Sequence, residues 1–154
     1  MAADSFREAS DPFLKAAIAE ARQGLAESGI PTGSVLVRDG EIIGHGHNRR
    51  VQKGSAILHG EMDCLENAGR LSAAVYRGCV LYTTLSPCPM CSGAIVLYRI
   101  PRVVVGENRT FLGAEAYLRA QNIQVDVLQD ESCIELMRGF IAAHPELWNE
   151  DIGV

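Results

Sequence analysis

Four side chains in this sequence are placed to share one piece of chemistry. They are His59 and Glu61 in His59-Gly60-Glu61, and Cys88 and Cys91 in Pro87-Cys88-Pro89-Met90-Cys91. Two cysteines separated by two residues can grip one ion from the start of a helix, and a histidine from elsewhere supplies a third ligand. One imidazole and two thiolates form a soft set that suits zinc, and three protein ligands leave a fourth position for water. Such a site makes water acidic, to a pKa of roughly 7. Glu61, two residues from His59, can take that proton without binding the ion. A helix N-terminus favours a thiolate through its dipole, so both cysteines are expected as thiolates.

Other readings of the same residues are open at this point. A C-x-x-C pair also serves as a redox couple or a structural zinc clip. A structural site needs a fourth protein ligand. Cys64 is the tempting one, but five helical steps from His59 rotate it by roughly 140°, away from the cluster. Cys79 and Cys133 sit in apolar runs and read as core. His45 and His47 alternate with glycine on a strand, and three better ligands exist. His144 follows an apolar helix and reads as its C-terminal cap.

The elements that must position these groups follow from local pattern. Asp11-Pro12 opens a helix whose apolar face is Phe13, Ala16, Ala17, Ala21 and Leu25, with Gly29 placed to end it. Residues 34–38 and 41–47 are strand-like, and Asp39-Gly40 between them is a two-residue hairpin turn. A polar loop over 49–55 leads to a helix over 56–69 that carries His59 and Glu61. A buried strand over 79–84 precedes a helix opened by Ser86-Pro87, which carries both cysteines and ends before Pro101. Then come a strand at 102–106, a helix at 112–121, a strand at 123–128 and a helix at 131–143. This alternation predicts an α/β domain spanning 1–154: a three-layer α-β-α sandwich with one central mixed five-stranded sheet. Residues 1–10 are polar and read as a loose segment.

The bulk numbers narrow the class. Fourteen Lys and Arg against nineteen Asp and Glu leave a net charge of −5, which argues against a polynucleotide partner. The N-terminus lacks the apolar run of a secretory signal, and no apolar stretch is long enough for a membrane span. Five cysteines in such a chain do not suggest a disulfide framework, so a cytoplasmic enzyme is expected.

With these residues in place, the chain resembles the fungal-type cytosine deaminases, small zinc enzymes with a cytidine deaminase-like fold. The H-x-E…P-C-x-x-C pattern is the zinc nucleobase deaminase signature. Further stretches carry the likeness: Gly46-His47-Asn48, residues 52–56, residues 81–88, Val104-Val105-Gly106-Glu107-Asn108, and Trp148-Asn149-Glu150-Asp151-Ile152-Gly153. The resemblance implies one Zn²⁺ on His59, Cys88 and Cys91, with Glu61 as the catalytic proton shuttle. It implies a base pocket in which Asn48 bonds the pyrimidine edge, the Gly60 backbone faces the ring carbonyl and Ser86 the amino side. Asp151 would orient the amino group, and Phe111 and Trp148 would cover the ring. Residues 145–154 would then form a lid that limits product release. The implied reaction is cytosine plus water to uracil plus ammonia, as in pyrimidine salvage, by a homodimer acting on a free nucleobase. The nearly all-round apolar helix at 92–100 fits such a dimer. Thr32 replaces an aliphatic residue of the family pattern, which leaves isocytosine, guanine or creatinine as alternative substrates. A tRNA adenosine deaminase and a non-catalytic zinc domain that binds partners are the remaining readings.

Overall fold

The computed structural model describes residues 11–154, and the segment read as loose, 1–10, lies outside the described residues. Helix α1 (Pro12–Ala26) starts where Asp11 accepts hydrogen bonds from the Phe13 and Leu14 amides. It stops through Ser28, which takes the left-handed conformation (φ 65°), and Gly29, whose amide reaches back to the Gly24 carbonyl at 2.9 Å. Strands β1 (Gly33–Arg38) and β2 (Glu41–His47) form the expected hairpin. Asp39 and Gly40 both have positive φ, 50° and 76°, as a turn matched to strand twist requires.

Five strands make one sheet in the order β2-β1-β3-β4-β5, with β3 (Cys79–Thr83), β4 (Arg102–Val105) and β5 (Gln124–Val127). β1 is antiparallel to both β2 and β3, while β3, β4 and β5 run parallel. The sheet is mixed, as the alternation predicts. Side-chain alternation along the strands builds two cores. Leu36, Leu81, Val103 and Val105 pack with Cys64, Ile95 and Leu118 on one face. Val35, Val37, Tyr82 and Val104 pack with Leu14, Ile18 and Cys133 on the other. Helices α3 (Gly60–Ala68), α5 (Pro89–Tyr98) and α6 (Glu115–Ala120) cover the first face, and α1 and α7 (Glu131–Ala143) the second. Cys64, Cys79 and Cys133 are core residues, as expected.

Several boundaries differ from the sequence reading, each for a local reason. The helix expected from Ala56 begins at Gly60, because the Ser55 hydroxyl bonds the Ile57 and Leu58 amides and holds a turn there. The helix expected from Ser86-Pro87 begins at Pro89, with Cys88 as its cap. The one expected from Leu112 begins at Glu115, since the Gly113 and Ala114 amides are taken by the Ser86 hydroxyl and the Pro87 carbonyl. Short helix α2 (Arg50–Lys53) occupies a stretch read as loop, α4 (Ala73–Tyr76) lies between the elements read from sequence, and the tail forms α8 (Pro145–Asp151). His144 caps both α7 and α8.

Helix α3 lies hard against β2. A Cβ on Gly46 would fall 2.5 Å from the Cys64 amide nitrogen and 2.6 Å from the Asp63 carboxylate, whereas one on Gly139 in α7 would meet nothing. The two glycines therefore predict opposite signs. Gly46→Ala should lower the unfolding free energy in urea by about 2 kcal/mol, and Gly139→Ala should raise it by about 1 kcal/mol.

Candidate active site

His59, Cys88 and Cys91 converge where α3 and α5 begin. His59 caps α3 and Cys88 caps α5, with Cys91 one turn further along. The His59 Nδ1 lies 3.3 Å from Cys88 Sγ and 3.7 Å from Cys91 Sγ. Ligands around a tetrahedral zinc stand about 3.5–3.8 Å apart; the Cys91 separation falls in that range, the Cys88 one is slightly shorter, and all three donor atoms lie within 4.8 Å of one another. Among the described residues, no fourth His, Cys, Asp or Glu joins this group. The other ring nitrogen, Nε2, lies 3.0 Å from the Asp151 carbonyl oxygen. A carbonyl only accepts, so Nε2 carries the hydrogen, and in the neutral ring the Nδ1 lone pair is turned toward the thiols.

Glu61 sits in the first turn of α3 and is buried. Thr83, the last residue of β3, donates its hydroxyl to Glu61 Oε1 at 2.5 Å. This positioning contact was not apparent from sequence, because Thr83 is a strand residue of unremarkable type. Burial raises the Glu61 pKa, against the opposing hydrogen bonds from Cys91 and Thr83.

A cleft of about 300 Å³ opens over the cluster, counting its mouth. His59, Glu61 and Cys88 line it together with Thr32, Asn48 and Ser86. Phe111, Trp148, Asp151 and Ile152 also line it, along with Leu85. Phe111 and Trp148 meet edge to face, with ring centroids 5.7 Å apart. Gly60 is buried behind this wall, where a Cβ would stand 3.2 Å from the Thr32 carbonyl. Asn48 is fixed in orientation: its Nδ2 donates to Asp151 at 3.1 Å and its Oδ1 accepts from the Arg50 amide. The Ser86 hydroxyl donates to buried Glu115 at 2.6 Å and accepts from the Gly113 amide, so it is turned away from any guest. Gly113 is required here, since a Cβ would fall 2.0 Å from the Pro87 carbonyl. The loop that carries Phe111 is further tied by the buried Glu107 carboxylate, which accepts from the Arg109 and Thr110 amides and from the Thr110 hydroxyl. Neither Glu107 nor Glu115 stands out in the sequence from other acids. His45 and His47 lie elsewhere, hydrogen-bonded to Glu20 and, for His47, to Glu27.

Residues 7–107 match the model of the cytidine and deoxycytidylate deaminase zinc-binding region. The chain belongs to that family. A cytosine deaminase of Candida albicans is 53% identical over 141 residues, covering 91% of this chain and 94% of the relative. A tRNA-specific adenosine deaminase of Streptococcus pyogenes is 39% identical over 137 residues, covering 85% and 81%. A solved structure from work on A-to-I editing by tRNA:A34 deaminases superposes with a TM-score of 0.68 at 29% identity, covering 80% of this chain and 97% of that one. The protein is a zinc-dependent deaminase, with the fold of that family.

The metal-free deaminase site holds protons that zinc must displace. Hydrogen bonding from the Cys91 thiol, against the cost of burial and helped by His59, pulls Cys88 down to about 4. Cys91 is pushed well above 9 by the neighbouring Cys88 sulfur and by burial. Without a cation the two cysteines therefore do not ionise alike, and the second thiolate forms as zinc displaces the Cys91 proton. They share one negative charge until a cation arrives. Burial works against a charged His59, but Cys88 and the Asp151 and Glu61 carboxylates outweigh it and raise His59 to about 9. Near neutral pH the apo site thus carries protons on His59 and Cys91. Both groups have raised pKa values, so metal affinity should fall as pH drops. Isothermal titration in buffers of different ionisation enthalpy should show about two protons released per zinc, with affinity rising about a hundredfold per pH unit from 6 to 8.

Proposed function

We propose that this deaminase acts on a free nucleobase, converting cytosine and water to uracil and ammonia. The observation that carries the reading is the position of α8. Trp148 and Asp151 of α8 line the cleft together with His59 and Glu61, which suits a small flat guest better than a polynucleotide. The net charge of −5 and the likeness to a cytosine deaminase over nearly the whole chain support the same reading.

Zinc on His59 Nδ1, Cys88 Sγ and Cys91 Sγ would supply a Lewis acid that lowers the pKa of water to about 7. The residues do the rest. Glu61 takes the water's proton and hands it to the ring nitrogen beside the amino-bearing carbon. Its raised pKa lets one carboxyl act as base and then acid. Thr83 holds Oε1, which leaves Oε2 for the proton. Once attack has made the ring carbon tetrahedral, Glu61 takes the remaining proton from the added hydroxyl and delivers it to the departing amine, so that ammonia leaves as the carbonyl forms. Asn48 and Asp151 hold the guest's polar edge and amino group. With the Ser86 hydroxyl engaged, its main-chain carbonyl is the atom left for the amino side. The Gly60 amide, at the first turn of α3, is the donor we assign to the ring carbonyl. Phe111 and Trp148 cover the ring.

A second substrate is favoured by one residue. Thr32 is buried in the wall, and its hydroxyl supports a guest with an extra polar edge, such as isocytosine, guanine or creatinine. We also propose a homodimer. On α5, Leu97 is 71% exposed and Tyr98 39%. Tyr98 stacks on Tyr76 at 4.5 Å, forming an apolar ledge of the kind a second copy would cover. No helix among the described residues is long and apolar enough to cross a membrane. Five free cysteines, two of them ligands, support a reducing, cytoplasmic setting.

Zinc-loaded protein assayed for ammonia over a panel of cytosine, isocytosine, guanine, creatinine and an anticodon stem-loop should turn over cytosine best. Glu61→Gln should keep its zinc and lose about 10³-fold or more in kcat. Turnover of the stem-loop alone, or full activity in Glu61→Gln, would overturn the reading.

A further inference from the structure

We propose that Arg50 is a positioning residue that latches α8 over the pocket, acting through Glu150 and Asp151. Its guanidinium makes a two-pronged pair with Glu150, Nη1 to Oε2 at 2.8 Å and Nη2 to Oε1 at 2.7 Å. Nη1 also reaches Asp151 Oδ1 at 3.1 Å, and Nε reaches the Ala56 carbonyl at 3.0 Å. Its main-chain amide bonds Asn48 Oδ1. One residue thus ties the pocket wall, the segment running into His59, and two consecutive residues at the end of α8. The Arg50 side chain is only 13% exposed but Glu150 is 59% exposed, so the fork stands open to water and salt while the contact to Asp151 is part-buried.

The rest of α8 has no comparable polar hold. Trp148, Leu147 and Ile152 lean on Leu85, Met137, Phe140 and Ile141, contacts that permit sliding. The joint between α7 and α8 is one residue, His144, which serves as cap to both. A helix pivoting there would swing its far end, where Glu150 and Asp151 sit. Opening must break the fork. It also strips the cation from two adjacent carboxylates, of which Asp151 is buried and lines the cleft with Glu61. Asp151 would then lose its hold on Asn48 and, through its carbonyl, on His59. The latch therefore couples closure to the orientation of the groups that hold the guest.

This inference rests on the reading that α8 closes over the reacting base, yet one test needs no substrate. Trp148 is the only tryptophan of the chain and lies in α8, so its fluorescence reports the position of the helix. Zinc-loaded Arg50→Gln, Arg50→Lys and Glu150→Gln are compared with wild type by acrylamide quenching, zinc content, and KM and kcat for cytosine. Arg50→Gln should keep its zinc, raise the quenching constant about threefold and raise KM about tenfold, with kcat changed less than about threefold, as expected when the closed state becomes a minor population. Arg50→Lys should fall between, because an ammonium does not fork. Unchanged quenching and KM in Arg50→Gln would overturn the latch, and so would a KM rise that tracks lost zinc. Should Arg50→Gln fail to fold, Glu150→Gln tests the latch in its place with the same expected and overturning results, since Glu150 is 59% exposed and its loss opens the fork from outside. Altered quenching in a protein whose wild type releases no ammonia from cytosine would sink the proposed substrate and leave the latch standing.

Discussion

An imidazole offers two nitrogens, and this site works only if Nδ1 is the one facing the thiols. The Asp151 carbonyl decides the matter by accepting from Nε2–H. The contact spans 92 residues of sequence and joins the last helix to the metal-binding centre. Asp151 also holds Asn48 and Arg50, so one residue sets a ligand, a wall and the cover together. Second partners of this kind fix ring orientation and raise ligand basicity. The pocket and the zinc site are therefore one structure rather than two.

The sheet explains why such distant residues meet. β1 runs against both its neighbours, and Gly33 pairs with His47 on one side while Ser34 pairs with Thr83 on the other. The bend at Thr32, the exit of β2 at Asn48 and the exit of β3 at Thr83 thus share one edge of the fold. Helices α3 and α5 both begin at that edge, which delivers His59, Glu61 and the two cysteines from separate segments. Ligand sites in α/β sheets lie beyond the carboxyl ends of parallel strands, and β3 follows that rule here.

How much of this was readable beforehand depended on whether the signal was local. The Asp39-Gly40 turn, the Asp11 cap and the metal triad were legible, because backbone geometry or ligand chemistry demands particular residue types at fixed spacing. The start of α3 was misplaced because one hydroxyl, Ser55, competes with the helix. The Ser86 side chain was harder to interpret, since its partner Glu115 lies 29 residues away. Arg50 and Glu150 are 100 residues apart, and no periodicity links them. His45 and His47, set aside as ligands from the sequence, have Glu20 and Glu27 as partners, acids 20 or more residues away that no local pattern reveals. Ionisation was least legible of all, because Cys88 and Cys91 respond first to each other, with opposite shifts.

The span of the Asp151 contact bears on how the protein is made. A ribosome delivers His59, Cys88 and Cys91 well before Asp151, and the sheet needs only residues up to Val127. During that interval the imidazole lacks its acceptor and both tautomers are open to it, while domains elsewhere in a chain begin to form as they emerge. Metal capture before the last helix docks would meet an unaligned ligand. The His59 ring is thus aligned for a metal only once α8 has docked, which ties the geometry of one ligand to the folding of a helix 92 residues away.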